Sequence, residues 1–379
     1  MIILTVNTGS SSIRLAAFEP ESGSLSLRAS THLSGEQDDP TAMLRAFLKG
    51  HGIGAVAAIG HRIVHGGSRL TAPCRIDAKV EAEIERLTPL APLHNPRALE
   101  WIRACRAQFG GETTQVAVFD TAFYAELPEV AATYALPRAL CALHDIRRYG
   151  FHGLAHQAMW QRWHELRPEL RGGGRVITLQ LGGGCSITAI RDGRAVDTSM
   201  GFSPIEGLVM ATRSGDLDPG LLLYLQRVEG MTSMRLERLL NKECGLLGLS
   251  GMSGDMRTLL DMDTANARLA VDVYCYRARK YIGAYFAALG SVDAILFGGG
   301  VGEHVPQVRA QILCELVRLG IVLDPDANRA AVGAEMRISN SCSEAELWVI
   351  PVDEAALLAQ QALALMGPPE TLWPQENRS

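Results

Sequence analysis

Two hairpins with loops of small residues, about half a chain apart, most constrain what this sequence can fold into. Residues 2–18 (IILTVNTGSSSIRLAAF) are apolar and β-branched on both sides of a loop of small residues, and residues 176–190 (VITLQLGGGCSITAI) repeat that form. Small residues at such a turn let the backbone come close to a bound group. A unit that recurs once at about half of 379 residues predicts two duplicated domains, with two unrelated hairpins as the alternative.

Composition excludes several classes of protein. With 47% hydrophobic residues, the chain has enough apolar side chains to form a core, which excludes intrinsic disorder. No apolar run of about 18 residues lacks charge, so we expect no membrane span, and we expect no secretory signal in MIILTVNTGSSS, which has no basic or long apolar segment. The formal net charge of −5 argues against nucleic-acid binding. The eight cysteines show no CxxC spacing, which predicts reduced thiols in the cytoplasm.

Strand and helix patterns alternate along the rest of the chain. We expect further buried strands in residues 55–67, 115–124 and 292–300. We expect helices over residues 77–87, 95–109, 219–229, 233–241, 262–289 and 353–367. This alternation is typical of α/β domains with mixed sheets flanked by helices.

Three loops have the composition that a polyphosphate requires. The first runs from Asn7 to Ser12, the second is Gly182 to Gly184, and the third follows strand 292–297 and begins at Gly298. Backbone N–H groups and hydroxyls bind phosphate oxygens without steric bulk. A single glycine loop usually serves only the turn, but three in one chain favour a nucleotide-binding protein.

Charged residues and histidines follow several of the predicted strands. Arg62 and His65 end strand 55–67, Asp120 directly follows VAVF, and His152 and Arg213 lie further along the chain. Arginines, histidines and an acid beside phosphate loops are the groups that phosphoryl transfer requires. Taken one at a time, a strand-end Asp is often a helix cap, and an isolated Arg is most often a solvated side chain.

A series of motifs resembles those of the acetate kinase (acetate/propionate kinase) family of the actin–Hsp70–sugar kinase superfamily. In chain order they are VNTGSSSIRL, GHRIVHGG, LAPLHNP, VFDTAFY, IRRYGFHGLAH, DTSMGFSPIEGLVMATRSGDLDP, LNKECGLLGLSG, RKYIGAYFAAL, FGGGVGEH and VIPVDEA. They extend from residue 6 to residue 355, nearly the whole chain. The resemblance implies two duplicated actin-like (ribonuclease H-like) domains, which we expect to comprise residues 1–148 plus 356–379 and residues 149–355.

The resemblance also implies a reaction. ATP would donate its γ-phosphoryl group reversibly to acetate, giving acetyl phosphate and ADP. Arg62 and Arg213 would hold the carboxylate and the transferred phosphoryl group, since a planar guanidinium pairs bidentately with either. His152 would stabilise the same phosphoryl group, and Asp120 would be the active-site acid near the metal. A homodimer in the cytoplasm is implied as well.

Binding residues follow from the same motifs. Asn7 and Glu354 would hold Mg²⁺, with Mn²⁺ as a possible substitute. The residues implied for ATP and ADP are Ser10, Ser12, Arg14, Gln180, Leu181, Gly182, Gly183, Gly184, Asp255, Met256, Arg257, Gly300, Val301, Gly302, Glu303 and His304. The residues implied for the acyl pocket are Arg62, Val64, Leu93, Phe151 and Pro204. Val64 favours acetate, because in the family a smaller residue there accompanies longer acids.

Some positions depart from the family's pattern. Arg14 replaces the usual Lys, and Gln180 and Gly183 replace the His and Asn of HLGNG. Residues 352–355 (VDEA) replace TNEE but keep the Glu, and Tyr124 replaces a His. Two alternatives remain beside an acetate kinase. The first is a propionate or butyrate kinase. The second is a catalytically weak nucleotide-binding homologue, which the changes at Arg14, Gln180 and Gly183 suggest.

Overall fold

The computed structural model describes residues 1–9, 12–21, 24–34 and 39–366, and the chain divides into two compact units. The first comprises Met1–Ala125 and the C-terminal segment from Asp353 on, and the second comprises Glu126–Val352. These bounds differ from the expected domains, since residues 126–148 pack with the second unit and residues 353–355 with the first. In the second unit, Arg148 donates hydrogen bonds to the main-chain carbonyls of Thr198 (3.1 Å) and Ser199 (3.3 Å).

The secondary structure alternates along both units. The strands are β1 (Ile3–Thr8), β2 (Ser12–Glu21), β3 (Ser24–Ser34), β4 (Ala58–Ile63), β5 (Cys74–Arg75), β6 (Thr114–Phe119), β7 (Arg175–Leu181), β8 (Cys185–Arg191), β9 (Arg194–Thr198), β10 (Ala294–Gly298), β11 (Met336–Arg337) and β12 (Glu346–Val349). The α-helices are α1 (Pro40–Gly50), α2 (Ala78–Arg86), α3 (Asn95–Phe109), α4 (Glu129–Ala132), α5 (Arg138–His144), α6 (Gly153–Leu166), α7 (Pro219–Val228), α8 (Ser233–Lys242), α9 (Gly245–Ser250), α10 (Met256–Asp261), α11 (Ala265–Leu289), α12 (Gly299–His304), α13 (Pro306–Leu313), α14 (Pro325–Ala330) and α15 (Glu354–Ala364). Short 3₁₀ helices cover Thr88–Leu90, Asp120–Tyr124, Arg171–Gly173 and Val317–Leu319. Among the described residues, no helix is long and apolar enough to cross a membrane.

Each unit contains a mixed sheet of six strands within the described residues, and the two sheets have the same topology. The strand order is β3-β2-β1-β4-β6-β5 in the first and β9-β8-β7-β10-β12-β11 in the second. In both, the hairpin strands are antiparallel, the three central strands are parallel, and the short outer strand is antiparallel. The predicted duplication of an actin-like domain is therefore confirmed.

The duplication extends to strand register beside the two hairpin loops. Asn7 pairs with Arg14 in the first hairpin, and Gln180 pairs with Ser186 in the second. Asn7 and Gln180 are each the residue before the last of their strand, so they occupy equivalent positions. This equivalence allows the two units to be compared residue by residue at their loops.

Helix α15 packs on the first sheet and thereby positions the residue at its own start. Every residue of β1 is buried, as expected for a central strand covered on both faces. At Gly60 of β4, a Cβ would lie only 2.7 Å from the carbonyl oxygen of Leu358, so close packing of the helix requires glycine there. Arg75 donates a hydrogen bond of 2.7 Å to the carbonyl of Leu365 near the helix end. The first residue of this fixed helix is Glu354.

Candidate active site

Four predicted site residues of the first unit meet at the carboxyl ends of its parallel strands. Asn7 is near the end of β1, Arg62 is near the end of β4, and Asp120 directly follows β6. Glu354 joins them from the start of α15. Ligands of open α/β sheets bind at this edge, because the loops that leave the parallel strands converge there.

Arg62 is the centre of this cluster. Its Nη2 donates to Asp120 Oδ2 at 2.6 Å, and its Nε lies 3.1 Å from Oδ1 and 3.2 Å from Oδ2 of the same carboxylate. Its Nη1 donates to Asn7 Oδ1 at 3.1 Å. Asn7 Nδ2 in turn donates to Glu354 Oε2 at 2.6 Å. The side chains are therefore held in one hydrogen-bonded array.

The charges in this array are nearly removed from water. Asp120 is completely buried, and 12% of the Arg62 side chain is exposed. Burial by itself lowers the pKa of the Arg62 guanidinium, but the charges of Asp120 and Glu354 outweigh it and raise the pKa above its ordinary value. A guanidinium has five N–H donors, and three of them are used here. The other two have no acceptor among the described residues and suit an anion.

The same array offers oxygen atoms to a cation. Mg²⁺ prefers carboxylate and carbonyl oxygens and keeps several waters. The oxygens of Glu354, Asp120 and Asn7 fit that preference. Within the described residues, no group of three or more His, Cys, Asp or Glu side chains is arranged to hold a metal.

The other predicted residues of the first unit lie around this edge or beyond it. Val64 lies two residues after Arg62 and is buried, whereas Leu93 is half exposed. Arg14 is exposed on β2, opposite Asn7. Ser12 begins β2, and its carbonyl accepts a hydrogen bond of 2.8 Å from Gly9 N. Ser10 lies outside the described residues.

In the second unit, His152 and Arg213 lie beside the second glycine loop. The loop is closed by a hydrogen bond of 3.1 Å from Gly182 N to Gly184 O. A Cβ on Gly184 would lie 3.2 Å from both Cε1 and Nε2 of His152, and 3.6 Å from Nη1 of Arg213. The absence of a side chain at this position therefore leaves both functional groups accessible from the loop.

Arg213 differs from Arg62 in its surroundings. Its Nη1 donates to the carbonyl oxygen of Pro204 at 3.0 Å and lies 3.8 Å from Met210 Sδ. Among the described residues, no carboxylate pairs with it. Burial lowers its pKa below the ordinary value for arginine. A desolvated cation that lacks an acidic partner attracts an anionic ligand.

The structure adds residues that the sequence analysis missed. His152 Nδ1 lies 2.9 Å from Ser186 Oγ, and His156 Nε2 lies 2.7 Å from the same oxygen. The sequence held two signals for this contact. His156 is four residues after His152 and so near the same face at the start of α6, and Ser186 and Thr188 alternate with apolar residues in CSITAI, which places both on one face of the strand.

The segments predicted to bind adenosine form the starts of two short helices. Asp255 caps α10, and its Oδ1 accepts hydrogen bonds from N (2.8 Å) and Oγ1 (2.9 Å) of Thr258. Within this segment Met256 is buried and Arg257 is exposed. In α12, Glu303 Oε1 accepts a hydrogen bond of 2.8 Å from Gly299 N. The remaining predicted positions of α12 are Gly300 (exposed), Val301 (half-buried), Gly302 (buried) and His304 (exposed).

A second missed residue supports α12 from beneath. Arg309 is completely buried, and its Nη1 donates to the carbonyls of Gly302 (2.7 Å) and Glu303 (3.2 Å). Its other nitrogens donate to Asn328 Oδ1 and O and to Ala331 O. A buried arginine bound only to neutral acceptors has no local pattern in the sequence that would identify it.

Comparison with known proteins identifies the family. The model of the acetokinase family matches residues 41–360. The chain belongs to this family. A curated acetate kinase of Solibacter usitatus is 48% identical over 319 residues, which cover 83% of this chain and 77% of that protein. The resemblance found in the motifs is thereby confirmed.

Solved structures agree with this assignment. The crystal structure of Porphyromonas gingivalis acetate kinase is 36% identical, with a TM-score of 0.87, and the match covers 97% of this chain and 100% of that one. A propionate kinase from Francisella tularensis is 34% identical, with a TM-score of 0.87 and coverages of 96% and 99%. Both similarities extend over the two units, so the predicted fold class is confirmed.

The predicted residues of this family member thus fall into two groups. The first unit brings Asn7, Arg62, Asp120 and Glu354 into one hydrogen-bonded array. The second unit brings His152 and Arg213 to the glycine loop of residues 182–184, and Phe151 (buried) and Pro204 (half-buried) belong to the same unit. Their individual roles in the reaction remain predictions.

Proposed function

We propose that the chain is an acetate kinase, which transfers the γ-phosphoryl group of ATP reversibly to acetate and yields acetyl phosphate and ADP. Membership of the acetokinase family supports this reaction class. The structural observation that supports it most is Arg213, a half-buried guanidinium beside a glycine loop, with no carboxylate partner in the described part of the chain. Such a group is suited to the charge that develops on a phosphoryl group in transfer.

The chemistry requires positioning more than proton transfer. A simple carboxylic acid is ionised at neutral pH, since carboxyl pKa values lie near 4, so acetate needs no general base to attack phosphorus. The two N–H donors of Arg62 that are left without acceptors would bind an anionic oxygen, and Asp120 would hold the guanidinium in place. Arg213 and His152 would donate hydrogen bonds to the phosphoryl oxygens.

The metal would be Mg²⁺ or Mn²⁺. Glu354 and Asp120 would supply carboxylate oxygens and Asn7 an amide oxygen, directly or through water. When bound, the metal neutralises charge on the ATP phosphates. Asn7 contacts both Arg62 and Glu354. It would therefore fix the position of the metal-binding carboxylate of Glu354 relative to the anion-binding guanidinium of Arg62.

The nucleotide would use the glycine loops. We propose that the backbone of residues 182–184 and the side chains of Gln180, Ser12 and Arg14 bind phosphates. Residues 255–257 and 300–304 would bind adenosine. Support comes from the exposed backbone at Gly183 and Gly300, where an added Cβ would meet nothing within 4 Å.

The preferred acyl acceptor would be acetate. Val64 is buried and apolar, and its two methyl groups restrict the space for a longer acid. One methylene in an apolar pocket is worth only about 1–3 kcal/mol, so the preference would be modest. Propionate is the second candidate, because one structural relative is a propionate kinase.

One assay tests the reaction and the acceptor together. The full chain is incubated with ATP, Mg²⁺ and acetate, propionate or butyrate, and the acyl phosphate is trapped as a hydroxamate. We expect the highest kcat/KM with acetate, and no product with heat-inactivated protein or without divalent metal. Nucleotide binding without any hydroxamate would overturn the proposal and support a catalytically weak homologue.

The assembly and location are also proposals. We propose a homodimer, because α7 has no buried residue although it contains Leu221, Leu223, Tyr224 and Val228, all more than 40% exposed. An apolar helix surface of this kind is typical of an interface. Light scattering should give twice the chain mass of 40.9 kDa. All eight cysteines are free, which supports a reducing compartment such as the cytoplasm.

A further inference from the structure

A chain of buried hydroxyl and imidazole groups leads from the second sheet to His152. His152 Nδ1 contacts Ser186 Oγ at 2.9 Å, and Ser186 Oγ contacts His156 Nε2 at 2.7 Å. His156 Nδ1 contacts Thr178 Oγ1 at 2.6 Å, and Thr178 Oγ1 lies 3.5 Å from the carbonyl oxygen of Thr188. Ser186, His156 and Thr178 are completely buried.

The last acceptor determines the direction of these four contacts. A carbonyl oxygen has no proton, so Thr178 must donate to Thr188 O. Each hydroxyl has one proton, so Thr178 then accepts from His156 Nδ1–H. A neutral imidazole has one protonated nitrogen, so His156 Nε2 accepts from Ser186, which in turn accepts from His152 Nδ1–H. All four contacts are hydrogen bonds in this arrangement alone.

The argument requires His156 to be neutral. Its ring is completely buried between two hydroxyl groups, and burial lowers its pKa to about 3. The ring therefore has one proton at any pH at which an enzyme of this kind would be assayed.

We propose that Ser186, His156 and Thr178 form a one-way hydrogen-bond relay that keeps a proton on Nδ1 of His152. His152 then presents an N–H group at Nε2 only as an imidazolium ion. When the ring is neutral, Nε2 offers a lone pair instead. The Nε2 edge faces Gly184 of the glycine loop. The relay residues are positioning residues, and their effect on catalysis rests on the proposed function of His152.

Several titratable side chains lie near His152. Arg213 lies beside Gly184 on the same side of the loop, and His156 belongs to the same helix. The thiol of Cys185 follows Gly184, and burial raises its pKa.

Nitrogen NMR tests the relay without using activity. The full chain is labelled with ¹⁵N-histidine, and the His152 signals are identified by their loss in His152→Asn. At a pH high enough to make His152 neutral, we expect the Nδ1–H tautomer in the wild type and loss of that preference in Ser186→Ala. An Nε2–H tautomer in the wild type would overturn the relay, whether or not the protein is a kinase.

The pH profile of kcat tests the consequence for catalysis. In the wild type, kcat should fall as the pH rises, because a neutral His152 ring with its proton on Nδ1 has no N–H group at Nε2. Ser186→Ala should lower kcat about tenfold at the optimum, the value of one hydrogen bond to a charged group. Ser186→Ala should also reduce the decrease of kcat at alkaline pH, because the neutral His152 ring of this variant can carry its proton on Nε2.

A matched control separates this effect from a structural one. Thr188→Val removes a buried hydroxyl from the same strand but leaves the main-chain carbonyl that ends the relay. Its pH profile should keep the wild-type shape. Equal loss of kcat at every pH in Ser186→Ala would contradict the proposed role. If the wild type forms no hydroxamate, the proposed function fails, and the NMR result still decides on the relay.

Discussion

The two units share one sheet topology but differ in the partners that they give to Arg62 and Arg213. In the first unit, Arg62 is bound by Asp120 and lies 4.0 Å from Glu354. In the second, Arg213 is half-buried, with a carbonyl oxygen and a thioether as its partners. Removing either partner of a buried ion pair destabilises the folded protein, because the other charge is left without compensation. A charge without a partner instead has a desolvation cost that is offset only when an anion binds. Activity and stability should therefore be coupled at Arg62 and separated at Arg213.

The largest expected effect is the loss of activity in Arg213→Ala. Removal of a preorganised donor from a transition state costs about 10²–10³-fold in kcat, and we expect a decrease near the upper end. The melting temperature should stay the same or rise, since an uncompensated charge leaves the interior. Hydroxamate kinetics and calorimetry measure the two quantities.

The control for this variant is Arg162→Ala, in the same unit. Arg162 is exposed and pairs with Glu165 and Glu335, so its removal should leave kcat unchanged. A near-normal kcat in Arg213→Ala would contradict the assigned role. A large loss of stability would show that Arg213 has a structural partner.

The next effect is the destabilisation of the first unit in Arg62→Met. This substitution leaves the completely buried Asp120 without the Arg62 cation. Breaking a buried ion pair in this way lowers the free energy of unfolding by about 3–5 kcal/mol. The double variant Arg62→Met with Asp120→Asn should recover part of that loss, because no unpaired charge remains. Urea unfolding of the three proteins measures the free energies. If Arg62→Met were as stable as Arg213→Ala, the two arginines would not differ in their contribution to stability.

The sequence predicted the elements whose patterns are long or symmetrical. The two hairpins, α3 and α11 lie within a few residues of their predicted positions, because burial of one helix face or of a whole strand leaves a periodic signal. The motifs identified the family and so indicated Arg62 and Arg213. Strand β12 has only four residues and no turn signal of its own, and it was not predicted.

The features that could not be predicted from the sequence depend on contacts between residues that are far apart along the chain. Residues 126–148 belong to the second unit because Arg148 binds Glu206, at 2.7 Å, and Tyr134 binds the same carboxylate. No local pattern shows such a pairing. The difference between a paired Arg62 and an unpaired Arg213 is of the same kind, since both are single arginines after apolar segments. Likewise, Ser186 lies between two histidines only because β8 places it there.

A third prediction compares the buried histidines of the two units. Burial lowers the pKa of His61 to about 4 and that of His156 to about 3. Below pH 6.5 each of these histidines is protonated in the unfolded chain but stays neutral in the folded protein. The free energy of unfolding therefore decreases as the pH falls toward these pKa values. Each histidine should contribute about 1.4 kcal/mol per pH unit within that window. Unfolding between pH 6 and 4.5 measures the slope.

Single substitutions divide this slope between the units. His61→Gln and His156→Gln should each remove about half of it, and His144→Gln, at an exposed position, should leave it unchanged. If neither buried variant alters the slope, the acid sensitivity comes from the carboxylates instead.

The smallest expected effect comes from the equivalent positions Asn7 and Gln180. Asn7 bonds to both Arg62 and Glu354, whereas Gln180 Oε1 is buried and has no partner among the described residues. Gln180→Met should therefore change the free energy of unfolding by less than about 1 kcal/mol, because an unsatisfied amide is lost. If Gln180 binds a nucleotide phosphate, KM for ATP should rise about fivefold, the value of one hydrogen bond. Asn7→Leu should instead lower kcat and stability together. Equal behaviour of the two variants would mean that the duplicated positions still have the same role, and the contrast between the units would then be limited to their arginines.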